Sequence, residues 1–197
     1  MKILLLSGFL GSGKTSVLLQ LAKHLADTVP GDGTKVMIIE NEIGEVGVDD
    51  KILRAQGLAV KDLFAGCACC TSGGDLLNDI SVIRDTMAPE WIIVEATGVA
   101  YPKQIRESVE RCFGIPVFIL SLADASRWKR LKSYMSQLLE GQIECADLAL
   151  VNKVDLVDET TAKSIADDIR AFNDKAVIGF TVGNKPIAPE IWKPITG

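Results

Sequence analysis

A short glycine-rich segment near the amino terminus gives the first sign of chemistry in this sequence. Residues 8–15 read GFLGSGKT, and glycines at this spacing let successive backbone amides turn inward around phosphate oxygens. Lys14 supplies a positive charge suited to the β- and γ-phosphates, and the Thr15 hydroxyl is suited to ligate Mg²⁺. The predicted phosphate contacts are Gly8, Gly11, Ser12, Gly13, Lys14 and Thr15.

A cluster of cysteines further along the chain predicts a second kind of site. Residues 66–70 read GCACC. In an extended backbone Cys67 and Cys69 point to the same side, and the glycine pair that follows allows a turn that brings Cys70 to them. Such a set of thiolates suits Zn²⁺ or another thiophilic metal, such as cobalt or nickel. Glu42, water or a second subunit could then complete the ligand set.

The same cysteines also allow two other interpretations. They could pack as small apolar side chains, or act as a redox pair that exchanges or oxidises. The remaining cysteines, Cys112 and Cys145, lie at the ends of apolar helix faces, so we expect both to be buried and not to bind metal. His24, the single histidine, lies on the polar side of the first predicted helix, and we expect it to have no metal role.

Carboxylates follow two of the predicted strands. Glu95 ends one strand and is followed by ATG, so it can hold a Mg²⁺-bound water while the amide of Gly98 reaches the γ-phosphate. Residues 40–49 read ENEIGEVGVD, which suits a loop that reorganises when Mg²⁺ and the γ-phosphate arrive. Within it we expect Glu42 to face the thiolate-bound metal and Asp49 to face Mg²⁺. A plain turn and a solvated acidic loop are the alternatives. The candidate catalytic residues are Lys14, Glu95 and Asp49.

The identity of the base is indicated by residues 151–155, VNKVD, which follow an apolar strand. In open α/β sheets ligands bind at this edge. The carboxylate of Asp155 can accept both the N1 and N2 protons of guanine, whereas the edge of adenine cannot satisfy it, so GTP and GDP are favoured over ATP. We expect Asn152 and Lys153 to belong to the same site and the loop from Thr181 to contact the base through its backbone. A helix-capping aspartate on a polar loop is the alternative.

The elements that must position these groups alternate between apolar strands and amphipathic helices. This pattern predicts an α/β fold, with a mostly parallel sheet covered by helices on both faces, in the phosphate-loop NTPase class. The expected strands cover 2–7, 35–40, 58–63, 91–95, 117–122, 148–151 and 177–181. The expected helices cover 14 to the break at 30–33, 76–87, 102–112, 126–140 and 160–172, and the tail 186–197 is expected to form an irregular strap or short helix.

Composition narrows the function classes further. With 197 residues, 48% of them apolar, the chain can bury one ordinary core. A net charge of −5 without a long basic run argues against nucleic acid or an anionic membrane surface as a partner. The apolar runs fall short of the about 20 residues that a membrane helix needs. Crowded cysteines in odd number and the lack of a signal peptide favour a cytoplasmic protein without structural disulfides.

Together these segments resemble the CobW-type metallochaperone GTPases, relatives of the hydrogenase and urease maturation GTPases HypB and UreG. The resemblance covers nearly the whole chain, in the family's order. It implies a single GTPase domain over 1–197, Mg²⁺-dependent hydrolysis of GTP to GDP, a metal site on the cysteines near the switch loops, and a homodimer. Many such proteins carry an additional carboxyl-terminal domain and histidine-rich stretches, and we expect no separate domain of that kind here.

The resulting hypothesis is a switch in which the nucleotide state controls whether a metal is held or transferred to a client metalloprotein. No glutamine or arginine can be assigned from the sequence to position water or stabilise charge, so we expect slow intrinsic turnover. Two alternatives stay open: a chaperone of a corrinoid enzyme, and a regulatory GTPase that uses its thiols as a redox sensor.

Overall fold

Strand β1 (Lys2–Gly8) lies inside a parallel sheet that organises the chain. A computed structural model describes residues 1–28, 35–40, 58–62, 74–183 and 185–197. Within these residues the sheet has seven strands. The other strands are β2 (Val36–Glu40), β3 (Leu58–Asp62), β4 (Trp91–Glu95), β5 (Val117–Asp124), β6 (Leu148–Asn152) and β7 (Val177–Phe180). Their order is β3-β2-β4-β1-β5-β6-β7, and every pairing is parallel, which confirms the predicted fold class.

Helices cover both faces of the sheet, as apolar parallel strands require. They are α1 (Lys14–Thr28), α2 (Gly74–Thr86), α3 (Pro102–Phe113), α4 (Trp128–Tyr134), α5 (Ser136–Ile143), α6 (Glu159–Phe172) and α7 (Lys193–Thr196). Short 3₁₀ turns span Val154–Leu156 and Pro189–Trp192. None of the helices in the described part of the chain is long and apolar enough to cross a membrane.

The core divides according to the alternation of strand side chains. Leu4 and Leu6 of β1 pack on the face covered by α1, where the carboxyl-terminal tail adds the buried Trp192. Ile3 and Leu5 point to the opposite face and pack against α2 and α3. A third cluster joins β5 and β6 to α4, α5 and α6. These clusters hold the sheet rigid, so the loops at its carboxyl edge start from fixed positions.

The predicted helix over 126–140 is wrong in one respect, because the structure has two helices there. Met135 separates α4 from α5 with φ −138° and ψ 38°. The Ser133 hydroxyl donates to the Lys129 carbonyl at 3.0 Å, a bond within the helix that tends to bend it. The break leaves Tyr134 exposed and lets Leu139 and Ile143 enter the core.

The expectation that both isolated cysteines are buried is also wrong for Cys112, which is exposed. Ile105, Val109 and Phe113 pack toward the core at intervals of one helical turn, so Cys112 turns outward. Cys145 is partly buried, and burial raises the pKa of its thiol. His24 is partly buried too, with its ring centroid 6.4 Å from that of Trp192.

Candidate functional site

The glycine-rich segment 8–15 connects β1 to α1 at the carboxyl edge of the sheet. Gly8, Gly11 and Gly13 have φ values of +143°, +73° and +99°, a region that glycine occupies without steric cost. Gly13 also has no room for a side chain, because a Cβ atom there would lie 2.5 Å from Nδ2 of Asn152. The three glycines therefore occupy positions where the backbone of the loop has a positive φ.

Lys14 and Thr15 begin α1, where unpaired amides favour an anion. The Lys14 side chain is buried, and its Nζ donates to the carbonyls of Gly8 at 3.1 Å and Phe9 at 3.4 Å. The Ser12 amide donates to the same Phe9 carbonyl at 3.0 Å. The Lys14 ammonium and the Ser12 amide therefore lie on one side of the loop, which we call its inner side. Thr15 is exposed.

Two residues at the end of β6 contact the outer side of this loop. Asn152 is fully buried, and its Nδ2 donates to the Ser12 carbonyl at 2.8 Å. Lys153 donates through Nζ to the Gly11 carbonyl at 2.6 Å. Lys153 has φ +62°, a left-handed conformation that costs a non-glycine residue about 1 kcal/mol or more and that collects at functional sites. The predicted base motif and the predicted phosphate loop are thus in direct contact.

Asp155 lies on the 3₁₀ turn after Lys153, and its side chain is exposed at this edge. Thr181 stands behind the motif, with Oγ1 donating to Oδ1 of Asn152 at 2.9 Å. The Thr181 amide donates to Val151 at 2.9 Å, and its carbonyl accepts from Val154 at 3.2 Å. Thr181 therefore braces Asn152. The backbone contact to a base stays a prediction for the rest of this loop, of which Asn184 lies outside the described residues.

The predicted γ-phosphate sensor begins where β4 ends. Glu95 is the last residue of β4 and is buried. Gly98 packs so tightly on the phosphate loop that a Cβ atom there would lie 2.7 Å from the Leu10 amide nitrogen. Gln142 of α5, also buried, donates through Nε2 to the Gly98 carbonyl at 2.9 Å. The loop after β4 is thus held between the phosphate loop and α5.

Asp124, at the end of β5, is a site residue that sequence reasoning missed. Its Oδ2 accepts from Lys153 Nζ at 2.8 Å and from Arg127 Nε at 3.0 Å, and its Oδ1 accepts from the Ser126 hydroxyl at 2.6 Å. Burial opposes ionisation of this carboxyl, but the bonds and charges from Lys153, Ser126 and Arg127 outweigh it and lower its pKa. The sequence feature that could have identified it is an aspartate at the end of an apolar strand.

Comparison with known families agrees with this geometry. The family model described as CobW/HypB/UreG, nucleotide-binding domain, matches residues 2–179. The chain belongs to the CobW/HypB/UreG family.

Individual members of the CobW/HypB/UreG family show how far the likeness extends. The zinc chaperone YeiR of Escherichia coli is 30% identical over 168 residues, which cover 81% of this chain and 48% of YeiR. The crystal structure of zinc-bound YjiA GTPase from E. coli has a TM-score of 0.67 at 24% identity, covering 97% of this chain and 60% of YjiA. The structure of HypB from Helicobacter pylori in complex with nickel has a TM-score of 0.60 at 18% identity, covering 99% and 83%. This chain spans about half the length of the curated relatives that it matches.

The predicted thiol site of this CobW/HypB/UreG domain falls outside the part of the chain that the structure describes. Among the described residues, no group of three or more histidine, cysteine or acidic residues could hold a metal ion. Thr15, predicted as a Mg²⁺ ligand, is the described member of the metal set. The predicted residues that lie outside the description are Glu42, Asp49, Cys67, Cys69 and Cys70.

Proposed function

We propose that this domain binds and hydrolyses GTP and uses its nucleotide state to control the transfer of a thiophilic metal to a client metalloprotein. One observation carries the nucleotide half of this proposal. The phosphate loop and the Asn152 to Asp155 motif, distant in sequence, are joined by hydrogen bonds from Asn152 to Ser12 and from Lys153 to Gly11. The predicted phosphate loop and the predicted base motif therefore share one edge of the sheet, which supports a nucleotide site there.

Guanine specificity rests on Asp155, whose exposed carboxylate follows the anchored Lys153. We expect Asp155→Asn to shift preference from GTP toward xanthosine triphosphate, because an amide can donate to the C2 oxygen that xanthine has in place of guanine's amino group. Competition of both nucleotides against a fluorescent GDP analogue measures the shift. Glu159→Gln, an exposed change on α6, is the control. Unchanged selectivity in Asp155→Asn would show that the guanine assignment is wrong.

Mg²⁺ fits the oxygen donors at this edge. The Thr15 hydroxyl, exposed at the start of α1, and the Glu95 carboxylate, at the end of β4, are ligand types that Mg²⁺ prefers, with Glu95 acting through a bound water. When bound, Mg²⁺ would neutralise charge on the phosphates. Lys14 binds the β- and γ-phosphates, and the Gly98 amide orients the terminal phosphate. Asp49 is the further candidate for the Mg²⁺ side.

The metal half of the proposal rests on Cys67, Cys69 and Cys70, with Glu42 as a candidate further ligand. YeiR carries the name zinc chaperone, and a HypB structure holds nickel. Zinc is therefore the metal that we propose first, with cobalt or nickel as the other thiophilic candidates. An incomplete ligand set suits delivery, because a metal with an open position can be passed on.

The ends of β2, β3 and β4 are neighbours in the sheet. Glu40 at the end of β2 pairs in register with Glu95 of β4 on one side and with Asp62 of β3 on the other. β2 therefore ends beside Glu95, and β3 ends beside Glu40. In the sequence, the acidic segment 41–49 follows β2, and the cysteines follow β3. The neighbouring ends of these strands support the proposal that nucleotide binding and metal binding are coupled.

Further features of the proposal concern the whole protein. We expect slow intrinsic hydrolysis, accelerated by the client or by a second copy in a homodimer. The working compartment is proposed to be the cytoplasm, where thiols stay reduced. Nucleic acid and membranes are not proposed as partners, because the net charge is −5.

A further inference from the structure

We propose that Arg127 is a positioning residue for the phosphate loop. It follows β5 and immediately precedes α4, far from the loop in sequence. Its Nη2 donates to the Leu10 carbonyl. The guanidinium lies against Gly11, where a Cβ atom would be 3.5 Å from Nη2. This inference rests on the proposed nucleotide site and concerns how that site is held in shape.

The Arg127 contact completes a series of consecutive peptide groups. The Leu10 carbonyl accepts from Arg127, the Gly11 carbonyl from Lys153 and the Ser12 carbonyl from Asn152. Each of these three donors approaches from the ends of β5 and β6. The outer side of the loop is therefore anchored at every residue from Leu10 to Ser12.

Anchored carbonyls fix the direction of the amides that follow them. In a trans peptide the C=O bond of one residue and the N–H bond of the next are antiparallel. A carbonyl held outward by Arg127 thus turns the Gly11 amide inward, and the Lys153 contact does the same for Ser12. The Ser12 amide does face inward, because it shares the Phe9 carbonyl with the Lys14 ammonium. Inward amides are the groups that bind phosphate in such loops.

Asp124 links the two cationic anchors. It accepts from both Arg127 and Lys153 while its own side chain is only about 1% exposed. Because this carboxylate is rigidly buried in the strand end, it fixes where both cations can reach. The Arg127 side chain stays 43% exposed, so its role is not to fill the core. Its removal should change the loop more than the fold.

The test compares Arg127→Met, Arg127→Lys and the control Arg130→Met, which changes an exposed arginine on α4. Titration with a fluorescent GDP analogue gives the Kd and the number of binding sites, with GTP and inosine diphosphate as competitors. We expect Arg127→Met to weaken GDP and GTP alike by about tenfold, the effect of losing its one charged hydrogen bond to the loop. The affinity ratio of GDP to inosine diphosphate should not change, because the two bases differ only in the amino group that Asp155 is proposed to contact, and Asp155 is retained.

Two further results separate positioning from general damage to the fold. We expect Arg127→Lys to recover part of the affinity, because an ammonium can still donate to the Leu10 carbonyl. A folding defect would instead lower the number of binding sites without changing Kd. Wild-type Kd in Arg127→Met, or fewer sites at unchanged Kd, would overturn the inference. If the wild-type protein bound no guanine nucleotide, the proposed function would fail together with it.

Discussion

At the scale of single residues, a buried carboxylate holds two cations of the candidate site in place. Asp124 is buried and accepts hydrogen bonds from the cations Lys153 and Arg127. These cations in turn contact the carbonyls of Leu10 and Gly11. Loss of the Asp124 charge would leave both cations without their counter-ion at the loop.

We expect Asp124→Asn to lower the free energy of unfolding by roughly 1–3 kcal/mol at pH 7. The pKa of Asp124 is lowered in the folded state, so its contribution is present above the unfolded pKa of about 3.9 and is lost as pH falls through the folded pKa. Urea unfolding of wild type and variant at pH 7 and near pH 3 measures this. The difference should shrink at the lower pH.

The matched control for Asp124→Asn is Asp167→Asn. Asp167 pairs with Arg170 on α6, but its side chain is 74% exposed, so the change should cost little. Equal destabilisation by Asp124→Asn at both pH values would contradict the charge-based account of Asp124. So would a loss at Asp167 as large as that at Asp124.

At this scale the sequence predicted candidate residues for the site but not what each of them contacts. Asn152 and Lys153 were predicted to belong to the base site, and the structure shows their side chains on the carbonyls of Ser12 and Gly11. Those contacts depend on the order of β6, β5 and β1 in the sheet. Spacing along the chain contains no such information, and for the same reason Arg127 was not assigned.

At the scale of elements, α5 holds the loop that follows β4. Gln142 donates to the carbonyls of Gly98 at 2.9 Å and Ala100 at 3.5 Å. The backbone carbonyl of Gln142 accepts a hydrogen bond from the Ser121 hydroxyl at 2.7 Å. Because Gly98 also lies against the Leu10 amide, Gln142 supports the phosphate loop and the sensor loop together.

We expect Gln142→Leu to weaken a non-hydrolysable GTP analogue about three- to tenfold more than GDP, because the buried Gly98 carbonyl loses its donor and Gly98, whose amide is the proposed γ-phosphate contact, is held less firmly. The Kd ratio of the two nucleotides measures this directly. Gln137→Leu, at an exposed position of α5, is the control. A ratio equal to that of the wild type would mean that Gln142 does not act on the γ-phosphate sensor.

Most element boundaries followed from sequence because hydrophobic periodicity and helix-ending residues act locally. β4 begins at Trp91 and ends at Glu95 as predicted. The division of α4 from α5 at Met135 did not follow, because apolar residues at helical spacing continue through the break. The bend accompanies an internal bond from Ser133 and the packing of Leu139 and Ile143 in the core, and periodicity reports neither.

At the scale of the whole molecule, the parallel sheet brings the predicted functional segments that the structure describes to one edge. The phosphate loop follows β1, the loop with the predicted γ-phosphate sensor follows β4, and the base motif follows β6. β2 and β3 end at this same edge, because the strands are parallel. In the sequence, the segment with Glu42 follows β2 and the segment with Cys67 follows β3. This arrangement is the physical basis for proposing that nucleotide and metal binding are coupled.

The most direct test of that coupling is the Zn²⁺ affinity of the protein, measured anaerobically with GDP and with a non-hydrolysable GTP analogue. Cys67→Ser and Cys69→Ser should lose tight Zn²⁺ binding, and Cys112→Ser, an exposed cysteine, is the control. We expect the Kd for Zn²⁺ to differ at least about fivefold between the nucleotide states, the lower range of allosteric coupling. Equal affinity in both states, or a metal-free protein that cycles a disulfide, would contradict the proposed nucleotide-gated metal transfer.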